Sequence, residues 1–414
     1  MVTSGSVAVI GAGIVGVSCA LHLQRAGFSV TLVDRLSPGD ATSFGNAGVL
    51  ASHGIVPAAT PGIITQIPKM LLDPMGPLSL RWPYAARMLP WFWQFLRNAS
   101  PDRVDHIADA LALLTLDTVE QHVALAKGTV VENLIKPVPT LNLYRDKAAY
   151  DADQYGWKIR RRHNARTSIL QAKALTDYDA TISQKFSFGV LMEDYGYVLD
   201  PALVVKGLAQ GFEAAGGKVI KAEVKDIEIV DGRPRRLVFS GDTLEFTRVV
   251  IAAGAWSAKL AKKLGSAVPL EAERGYHITL TDPGIMPTGP VMATFGKFIA
   301  TPMSMGLRLA GLVEFGGLEA APDYARAETL LKHAKILFPG VQTKHYTMWM
   351  GHRPSLPDSL PIVGGSPYFD NVYFAFGHQH LGLTMAPKTG RLITDLIAGR
   401  KPNIDLSLFR VDRF

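Results

Sequence analysis

A glycine-rich turn near the start of the chain limits the possible folds more than any other feature. In SVAVIGAGIVGVSCALHLQRAGFSVTLVDR an apolar run precedes Gly11, Gly13 and Gly16, and a helical pattern and a second apolar run ending at Asp34 follow. At this spacing the first glycine permits a tight turn, the second lets a pyrophosphate approach the backbone, and the third lets the helix lie close to the sheet. The stretch therefore predicts a βαβ unit that binds a dinucleotide at the helix N-terminus, with Asp34 accepting hydrogen bonds from a ribose.

The next segment, SPGDATSFGNAGVLASHG at residues 37–54, favours FAD over NAD. An NAD-binding domain would continue with regular βαβ units, whereas this run of small residues predicts the start of a second helix beneath the pyrophosphate. Thr42, Ser43 and Asn46 offer hydroxyl and amide groups, while Ala47 and Gly48 allow close backbone approach. An NAD-dependent dehydrogenase stays as an alternative.

The nucleotide domain is predicted to be discontinuous. The run VVIAAGAWS, which turns to small residues at Gly254, resembles a strand that returns to the nucleotide sheet long after the chain has left it. A chain of 414 residues is also too long for one ordinary core. We assign residues 1–55, 196–265 and 345–414 to the FAD-binding domain, and residues 56–195 and 266–344 to a substrate domain inserted into it.

Charge and cysteine content narrow the partners and the compartment. The net charge of +7 comes from Lys and Arg residues that are spread along the chain, and the main basic run, RRRH at residues 160–163, lacks stacking aromatic residues. We therefore expect no nucleic-acid partner, and we predict no metal site. The single cysteine, Cys19, excludes an intrachain disulfide, and no signal peptide is recognisable, so we expect a cytoplasmic protein.

Residues 67–98 form an unusual amphipathic segment, IPKMLLDPMGPLSLRWPYAARMLPWFWQFLRN. Its prolines predict short helical pieces rather than one long helix. Two interpretations stay open: the aromatic side chains and arginines contact anionic lipids at the inner face of the cytoplasmic membrane, or the aromatic side chains pack on the neighbouring domain.

Eight segments in a fixed order resemble the glycine oxidase and D-amino-acid oxidase/dehydrogenase family of flavoproteins, and most closely its bacterial FAD-dependent D-amino-acid dehydrogenases. They are VIGAGIVG, TSFGNAG, DPALVVKGLAQGFEAAGGKV, VVIAAGAWS, ERGYHITL, RLAGLVEFGG, GHRPSLPDSLPIVG and FAFGHQHLGLTMAPKTGRLITDLIAG. The resemblance implies an α/β fold, with a Rossmann-like FAD-binding domain of the glutathione-reductase type interrupted by an α+β substrate domain with a mixed or antiparallel sheet.

The resemblance also implies which residues hold FAD. The helix that starts near Leu383 would direct its N-terminal dipole at the N1–C2=O edge of the flavin. Attachment would be non-covalent, because Cys19 lies in the first helix. The predicted FAD-binding residues are Gly11, Gly13, Ile14, Val15, Gly16, Asp34, Arg35, Thr42, Ser43, Asn46, Ala47, Gly48, Val49, Leu50, Val224, Ala253, Gly254, Trp256, Gly377, His378, Gly382, Leu383 and Thr384.

Arg353 is the main candidate on the substrate side. In the family the arginine of the G-x-R-P element binds the substrate carboxylate, and a planar guanidinium can hold a carboxylate with two parallel hydrogen bonds. Arg274 and Tyr276, two apart on a predicted strand, could share one face, and His53 is a further candidate. Structural roles, as an ion pair or as packing residues, stay open for these three.

The implied reaction is oxidation of a D-amino acid by hydride transfer from Cα to flavin N5, with hydrolysis of the imino acid unless it is cyclic. GHRP and GHQH depart from the commoner GLRP and GHG, which favours cyclic substrates such as D-proline or cis-4-hydroxy-D-proline. We expect a quinone or dye-type electron acceptor. A sarcosine- or glycine-oxidase-like secondary amine oxidase that uses oxygen, and a noncatalytic flavoprotein subunit, stay as alternatives.

Overall fold

The computed structural model describes residues 5–73 and 75–414. Met1–Ser4 and Pro74, which the predicted domains include, lie outside the described residues. In chain order the strands are β1 Ser6–Ile10, β2 Ser29–Asp34, β3 Val49–Leu50, β4 Leu78–Leu80, β5 Ile135–Lys136, β6 Thr140–Tyr144, β7 Thr167–Gln171, β8 Phe188–Met192, β9 Gly196–Val198, β10 Lys218–Lys221, β11 Asp226–Val230, β12 Arg233–Val238, β13 Thr243–Glu245, β14 Arg248–Ile251, β15 Glu271–Leu280, β16 Val291–Ala293, β17 Phe298–Met303, β18 Gly306–Phe315, β19 Tyr346–Ser355, β20 Ile362–Gly365 and β21 Val372–Phe376.

The helices lie in the same described parts of the chain as the strands. They are α1 Ile14–Arg25, α2 Ile63–Leu72, α3 Trp82–Arg97, α4 Pro101–Thr115, α5 Thr118–Ala126, α6 Lys147–Ala152, α7 Gln154–Arg162, α8 Lys173–Tyr178, α9 Pro201–Ala214, α10 Ser257–Lys263, α11 Tyr324–Ala327, α12 Thr329–Leu337 and α13 Gly382–Ile397. Short 3₁₀ turns occur at Glu132–Leu134, Gly254–Trp256, Gln379–Leu381 and Ser407–Phe409.

The nucleotide sheet runs in the order β10-β2-β1-β14-β21-β20. Neighbours from β10 to β21 are parallel, and β20 pairs antiparallel with β21. One face of the sheet packs on α1, α9 and α13, and the other packs on the three-stranded sheet β11-β12-β13 and on α10, which is why its strands read as continuous apolar runs. The predicted return of the chain is confirmed, because β14 pairs with β1 and places Val250 beside Val9.

The second large sheet runs in the order β19-β15-β18-β17-β16-β6-β8-β7, and β4 pairs with the end of β18. Most of its neighbours are antiparallel, but β16 pairs parallel with β6, and β4 pairs parallel with β18. The α/β class and the mixed inserted sheet are therefore as the sequence predicts. The exact domain boundaries stay a prediction.

The main core lies between the nucleotide sheet and its helices. Helix α1 packs against α13 and α9, so that the first and last long helices of the chain share one apolar layer. Cys19 lies in that layer with no exposed surface, and its burial raises the pKa of the thiol to about 12. The cysteine is a packing residue of α1.

The predicted second helix after β2 does not form. Residues 37–48 follow a series of turns and are succeeded by the two-residue strand β3. The reason is local, because Gly39 and Gly48 adopt φ values of +82° and +78°, which belong to turns and not to a helix. The segment still runs along the sheet edge, but as a loop.

The amphipathic segment folds as α2, β4 and α3. Pro83 and Pro90 lie inside the 16-residue helix α3, so these prolines shorten the helical pieces less than predicted. Trp91 and Phe95 are buried, whereas Trp82 and Trp93 are 76% and 65% exposed. Among the described residues no helix is long and apolar enough to cross a membrane.

Candidate active site

One large cavity of about 810 Å³ connects the two large sheets. At one end it is lined by the turn between β1 and α1, and at the other by β15, β18 and β19. The wall beyond β18 is apolar and includes Ile63, Ile67 and Met70 from one face of α2. The cavity is thus long enough to place a nucleotide at one end and a small substrate at the other.

The nucleotide end has the close backbone approach that the glycine pattern requires. Gly11 has φ of +109°, and a Cβ added there would lie 2.3 Å from the carbonyl oxygen of Ala252. A Cβ on Gly16 would lie 1.8 Å from the carbonyl oxygen of Gly11, so Gly16 serves helix packing and does not line the cavity. Both positions therefore accept only glycine.

The N-terminus of α1 points its backbone N–H groups toward this end. Gly13 precedes the helix and has no side chain of its own to cap it, but Ser43 Oγ accepts a hydrogen bond of 3.0 Å from the Ile14 amide. Asp34 receives the Ala12 amide at 2.7 Å and the Leu36 amide at 2.9 Å. The turn is thereby held open for a pyrophosphate, and these residues fit a dinucleotide.

The predicted FAD-binding residues fall into two groups. Those that line the cavity are Gly11, Gly13, Ile14, Val15, Asp34, Arg35, Thr42, Ser43, Asn46, Ala47, Val49, Val224, Ala253, Gly254, Trp256, His378, Gly382, Leu383 and Thr384. Gly16, Gly48, Leu50 and Gly377 lie behind that lining. Roles in FAD binding stay a prediction for both groups.

The loop that replaces the predicted helix is fixed by polar contacts. Thr42 Oγ1 donates to the backbone carbonyl of His352 at 2.9 Å, and Asn46 Oδ1 accepts from the Gly48 amide at 2.7 Å. Arg35 lies over the ring of Trp256 at 4.2 Å, which forms a cationic and aromatic corner at the far nucleotide end. Thr42 and Asn46 therefore orient the loop as well as lining the cavity.

The turn before α13 brings a helix N-terminus to the middle of the cavity. The helix starts at Gly382, close to the predicted position, and its first residues contact α5, because His122 Nε2 lies 2.8 Å from the Leu383 carbonyl. Burial lowers the pKa of His378 to about 3, and its Nε2 lies 3.1 Å from Thr389 Oγ1. His378 is therefore a neutral, positioned side chain at neutral pH.

Arg353 reaches the cavity from β19 and contacts a carboxylate that the sequence analysis did not single out. Its Nη1 donates to Glu273 Oε1 at 2.8 Å and to the Leu312 carbonyl at 3.3 Å. Ser355 Oγ donates to the other oxygen of Glu273 at 2.9 Å. No hydrogen bond joins Arg353 Nε or Nη2 to any described residue, so this edge of the guanidinium is available to a ligand.

Arg274 and Tyr276 converge on another carboxylate. Arg274 has no exposed surface, and its Nη1 lies 2.9 Å from Glu314 Oε2. The Tyr276 hydroxyl donates to the same oxygen at 2.5 Å. The two residues do share a face, as the alternation suggests, and both contact Glu314, although the buried Nε of Arg274 has no hydrogen-bond partner among the described residues.

The positions of Arg274 and His53 do not support the predicted catalytic roles. Neither side chain lines the cavity, whereas Tyr276 contributes to its wall. His53 is buried, its Nε2 lies 3.2 Å from the His163 carbonyl, and burial lowers its pKa below the usual range. Arg353 alone of the four has a direct role in our proposal, and the roles of the other three stay predictions.

Two residues that sequence reasoning missed lie at the substrate end. Glu273 directly precedes Arg274 in the ERGYH motif, and His380 ends GHQH; both line the cavity beside Arg353. Only the antiparallel register of β15 with β19 relates the two residues, because it pairs Glu273 with Arg353. That register could not be read from residues 80 positions apart in the chain.

Comparisons with known proteins identify a family whose cofactor, FAD, is a dinucleotide of the kind that the cavity fits. A family profile described as DAO, FAD dependent oxidoreductase, matches residues 6–396. A Bradyrhizobium diazoefficiens protein named D-amino-acid oxidase is 37% identical over 415 residues, covering 99% of this chain and 98% of that protein. A D-amino acid dehydrogenase of the same organism is 30% identical over 429 residues, covering 99% of this chain and 98% of that protein.

Solved structures share the fold. Glycine oxidases from Bacillus cereus and Geobacillus kaustophilus superimpose with TM-scores of 0.73 and 0.74, and each comparison covers 99% of both chains. Their sequences are only 19% and 20% identical to this one, so these likenesses show the architecture alone.

Proposed function

The chain belongs to the family of FAD-dependent oxidoreductases, and from that premise we propose that it oxidises D-amino acids to imino acids. FAD is the cofactor of the family, and the names of the two relatives above point to D-amino acids as the substrate class. The reaction breaks the Cα–H bond and forms a C=N bond, while the amine loses a proton. Water then converts an open-chain imine to a 2-oxo acid and ammonia, whereas a cyclic imine persists.

The chain's own residues fit FAD at the nucleotide end of the cavity. The turn from Gly11 to Gly13 would hold the pyrophosphate, and the first residues of α13 would lie along the ring system. Bound FAD would supply the acceptor for the two electrons and the hydrogen that leave Cα. Cys19 is buried within α1, so we propose that the cofactor is held without a covalent bond and is released on denaturation.

The observation that carries the proposal is that Arg353 lines the cavity while its Nε–Nη2 edge makes no hydrogen bond to any described residue. This edge can receive a carboxylate with two parallel hydrogen bonds, which fixes the distance and the direction of the substrate Cα. The other edge is anchored by Glu273 and Leu312, so the guanidinium is oriented before the substrate arrives. Such orientation is worth several kcal/mol to a reaction that depends on alignment, on the order of the effects measured for well-placed reactants.

We further propose that cyclic substrates, D-proline or cis-4-hydroxy-D-proline, are preferred. The cavity wall near β16–β18 is apolar, with Met292 and Ile299 in it. Thr140 and Asn142, on one face of β6, add polar groups, and the buried Thr140 hydroxyl has no partner among the described residues. An apolar wall with these hydroxyl and amide groups suits a pyrrolidine ring that carries a hydroxyl group.

The role of Arg353 is tested with Arg353→Ala and Arg353→Lys. Loss of the paired hydrogen bonds should lower kcat/KM for the best D-amino acid about 100-fold or more in Arg353→Ala, with a smaller loss in Arg353→Lys, because an ammonium binds at one point only. Steady-state kinetics give the ratio. Near-normal kcat/KM in Arg353→Ala would contradict the assigned role.

The electron acceptor is proposed to be a quinone or a dye-type compound. Support comes from the exposed apolar side chains of α2 and α3, which suit a lipid surface where quinones reside. Oxygen uptake measured with and without an artificial acceptor distinguishes this activity from that of a secondary amine oxidase that uses oxygen. Among the described residues, no feature favours the secondary amine oxidase or a noncatalytic subunit over the D-amino-acid enzyme.

A further inference from the structure

We propose that Glu273 makes the cavity select for ligands that carry a positively charged amine beside their carboxylate. The proposal rests on the proposed function, since it takes Arg353 as the partner of the substrate carboxylate. It assigns a specificity-determining role to a residue that supplies no group to the bond changes themselves.

The position of Glu273 is fixed by its strand pairing and by two side-chain hydrogen bonds. It pairs with Arg353 across β15 and β19, and both side chains are largely buried, with 15% and 18% of their surface exposed. One carboxylate oxygen accepts from Arg353 and the other from Ser355. The negative charge therefore lies at a defined place beside the edge of Arg353 that is free to bind a ligand.

Glu273 is ionised in this environment. Burial alone would raise the pKa of the carboxyl group, but the charge of Arg353, the neighbouring His380 and the hydrogen bonds from Arg353 and Ser355 hold the pKa below its ordinary value. Arg353 and Glu273 together then carry no net charge. This pair is the closest ionic environment that a carboxylate on Arg353 would meet.

The charge balance separates two kinds of ligand. A zwitterionic amino acid adds no net charge, and its ammonium group offsets the repulsion between its carboxylate and Glu273. A simple carboxylate has no ammonium group to offset its repulsion from Glu273, and this repulsion is stronger at a largely buried site than in water. The first kind of ligand is therefore favoured over the second.

The other cationic groups at this end do not make the same distinction. Arg160 and Lys297 line the cavity, and neither has an ion-pair partner among the described residues. They attract every carboxylate to a similar degree, whether or not it carries an amine. Only a fixed negative charge beside the carboxylate site discriminates by the amine, which is why the proposal names Glu273.

This selection also has a consequence after turnover. A 2-oxo acid, formed when an open-chain imine is hydrolysed, is a simple carboxylate. Glu273 would disfavour its rebinding to Arg353 and so limit inhibition by accumulated product.

The test compares a substrate with its analogue that lacks the amine. The pairs are D-proline with cyclopentanecarboxylate, or D-alanine with propionate, depending on which D-amino acid reduces the flavin. Analogue binding is measured from the change in flavin absorbance, and the KM of the amino acid from kinetics. In the wild-type protein the analogue should bind at least about tenfold more weakly than the amino acid.

Glu273→Gln removes the charge and keeps the shape. We expect the analogue to bind at least about tenfold more tightly to this variant, while the KM of the amino acid stays the same or rises. Ser355→Ala keeps the charge and loses one hydrogen bond, so its ratio of analogue Kd to amino-acid KM should stay within about threefold of wild type.

Glu271→Gln is the matched control. Glu271 lies two residues earlier on the same strand, accepts a hydrogen bond of 2.7 Å from the Tyr84 hydroxyl, and does not line the cavity. It removes the same charge from the protein and should leave the ratio unchanged. An unchanged ratio in Glu273→Gln, an equal change in Glu271→Gln, or equal binding of the two ligands to the wild-type protein would each overturn the proposal.

The same measurements separate this inference from the proposed function. If no D-amino acid reduces the flavin, the proposed function fails. If one does and the ratio does not respond to Glu273→Gln, only the selection by charge fails.

Discussion

At the scale of single residues, Gly275 provides the space in which the guanidinium of Arg353 lies. A Cβ added to Gly275 would come within 2.4 Å of Arg353 Cζ and Nη2, and within 2.6 Å of Nε. The glycine lies between Glu273 and Tyr276 on β15 and faces the cavity. Its lack of a side chain is therefore part of how the carboxylate site is shaped.

We predict that Gly275→Ala displaces the Arg353 side chain and lowers kcat/KM at least about tenfold, mainly through a higher KM. Overpacking of this kind costs about 1–3 kcal/mol, although the flexible arginine can yield and spare the fold. Steady-state kinetics and thermal unfolding measure the two effects separately.

Gly364→Ala is the control for this substitution. Gly364 lies on β20, and no heavy atom lies within 4 Å of a Cβ placed there. Its kinetics should match wild type. A Gly275→Ala protein with wild-type kcat/KM would show that the guanidinium does not need its observed position.

The role of a residue could be predicted where it depends on neighbours close in the sequence. Gly11 and Gly16 could be assigned because the turn and its helix lie within one short stretch of sequence. Arg353 was suggested by a family motif, but its partner Glu273 became visible only from the register of β15 with β19. Arg274 was favoured over Glu273 because strand alternation gives a shared face without saying which face meets the cavity.

At the scale of elements, α3 is apolar on two sides. Met88, Trp91 and Phe95 face the protein, and Trp91 stacks on Phe95 with ring centroids 5.3 Å apart. Trp82, Leu89 and Trp93 occupy the opposite side and are largely exposed. The interpretations left open from the sequence thus each describe one side of the helix, and contact with a membrane stays a proposal.

We predict that the exposed side of α3 binds vesicles of anionic phospholipid. The double variant Trp82→Ser and Trp93→Ser should lower the vesicle partition coefficient at least about 100-fold, and with it the bound fraction, since burying each ring contributes roughly 1.5–3 kcal/mol. Flotation with anionic and with neutral vesicles measures the fraction.

Val130→Ser serves as the control, because Val130 is 79% exposed but lies away from α3, after α5. It should bind vesicles as wild type does. Equal flotation of the tryptophan double variant and the wild-type protein would exclude this side of α3 as the lipid contact.

Element predictions failed where small residues dominate. The run of small residues at 37–54 predicts the start of a helix, but it forms a loop in which Gly39 and Gly48 have positive φ. Helix α3 contains Pro83 in its first turn and Pro90 in its interior. Pro90 removes one backbone N–H donor, and the helix continues without that hydrogen bond. Local propensity could not decide between a helix and a series of turns, because packing against the surrounding sheet also contributes to the choice.

At the scale of the whole molecule, distant parts of the chain meet at one cavity. The nucleotide sheet takes strands from residues 6–34, 218–251 and 362–376, and the second large sheet contributes Arg353 and Glu273. The return of the chain to the nucleotide sheet was predictable because parallel strands are joined by long crossovers. The strand order of the second sheet could not be predicted. No local sequence pattern indicates which distant strands pair, or that β16 pairs parallel with β6.

The central claim is that this FAD-dependent protein oxidises D-amino acids at the Arg353 end of the cavity. Anaerobic titration of the purified holoprotein with D- and L-amino acids, followed by the yellow flavin absorbance, tests it most directly. We predict that D-amino acids bleach the absorbance, with D-proline or cis-4-hydroxy-D-proline acting at the lowest concentration, and that the L-enantiomers leave it unchanged. A flavin that no D-amino acid bleaches, or a colourless protein, would contradict the claim.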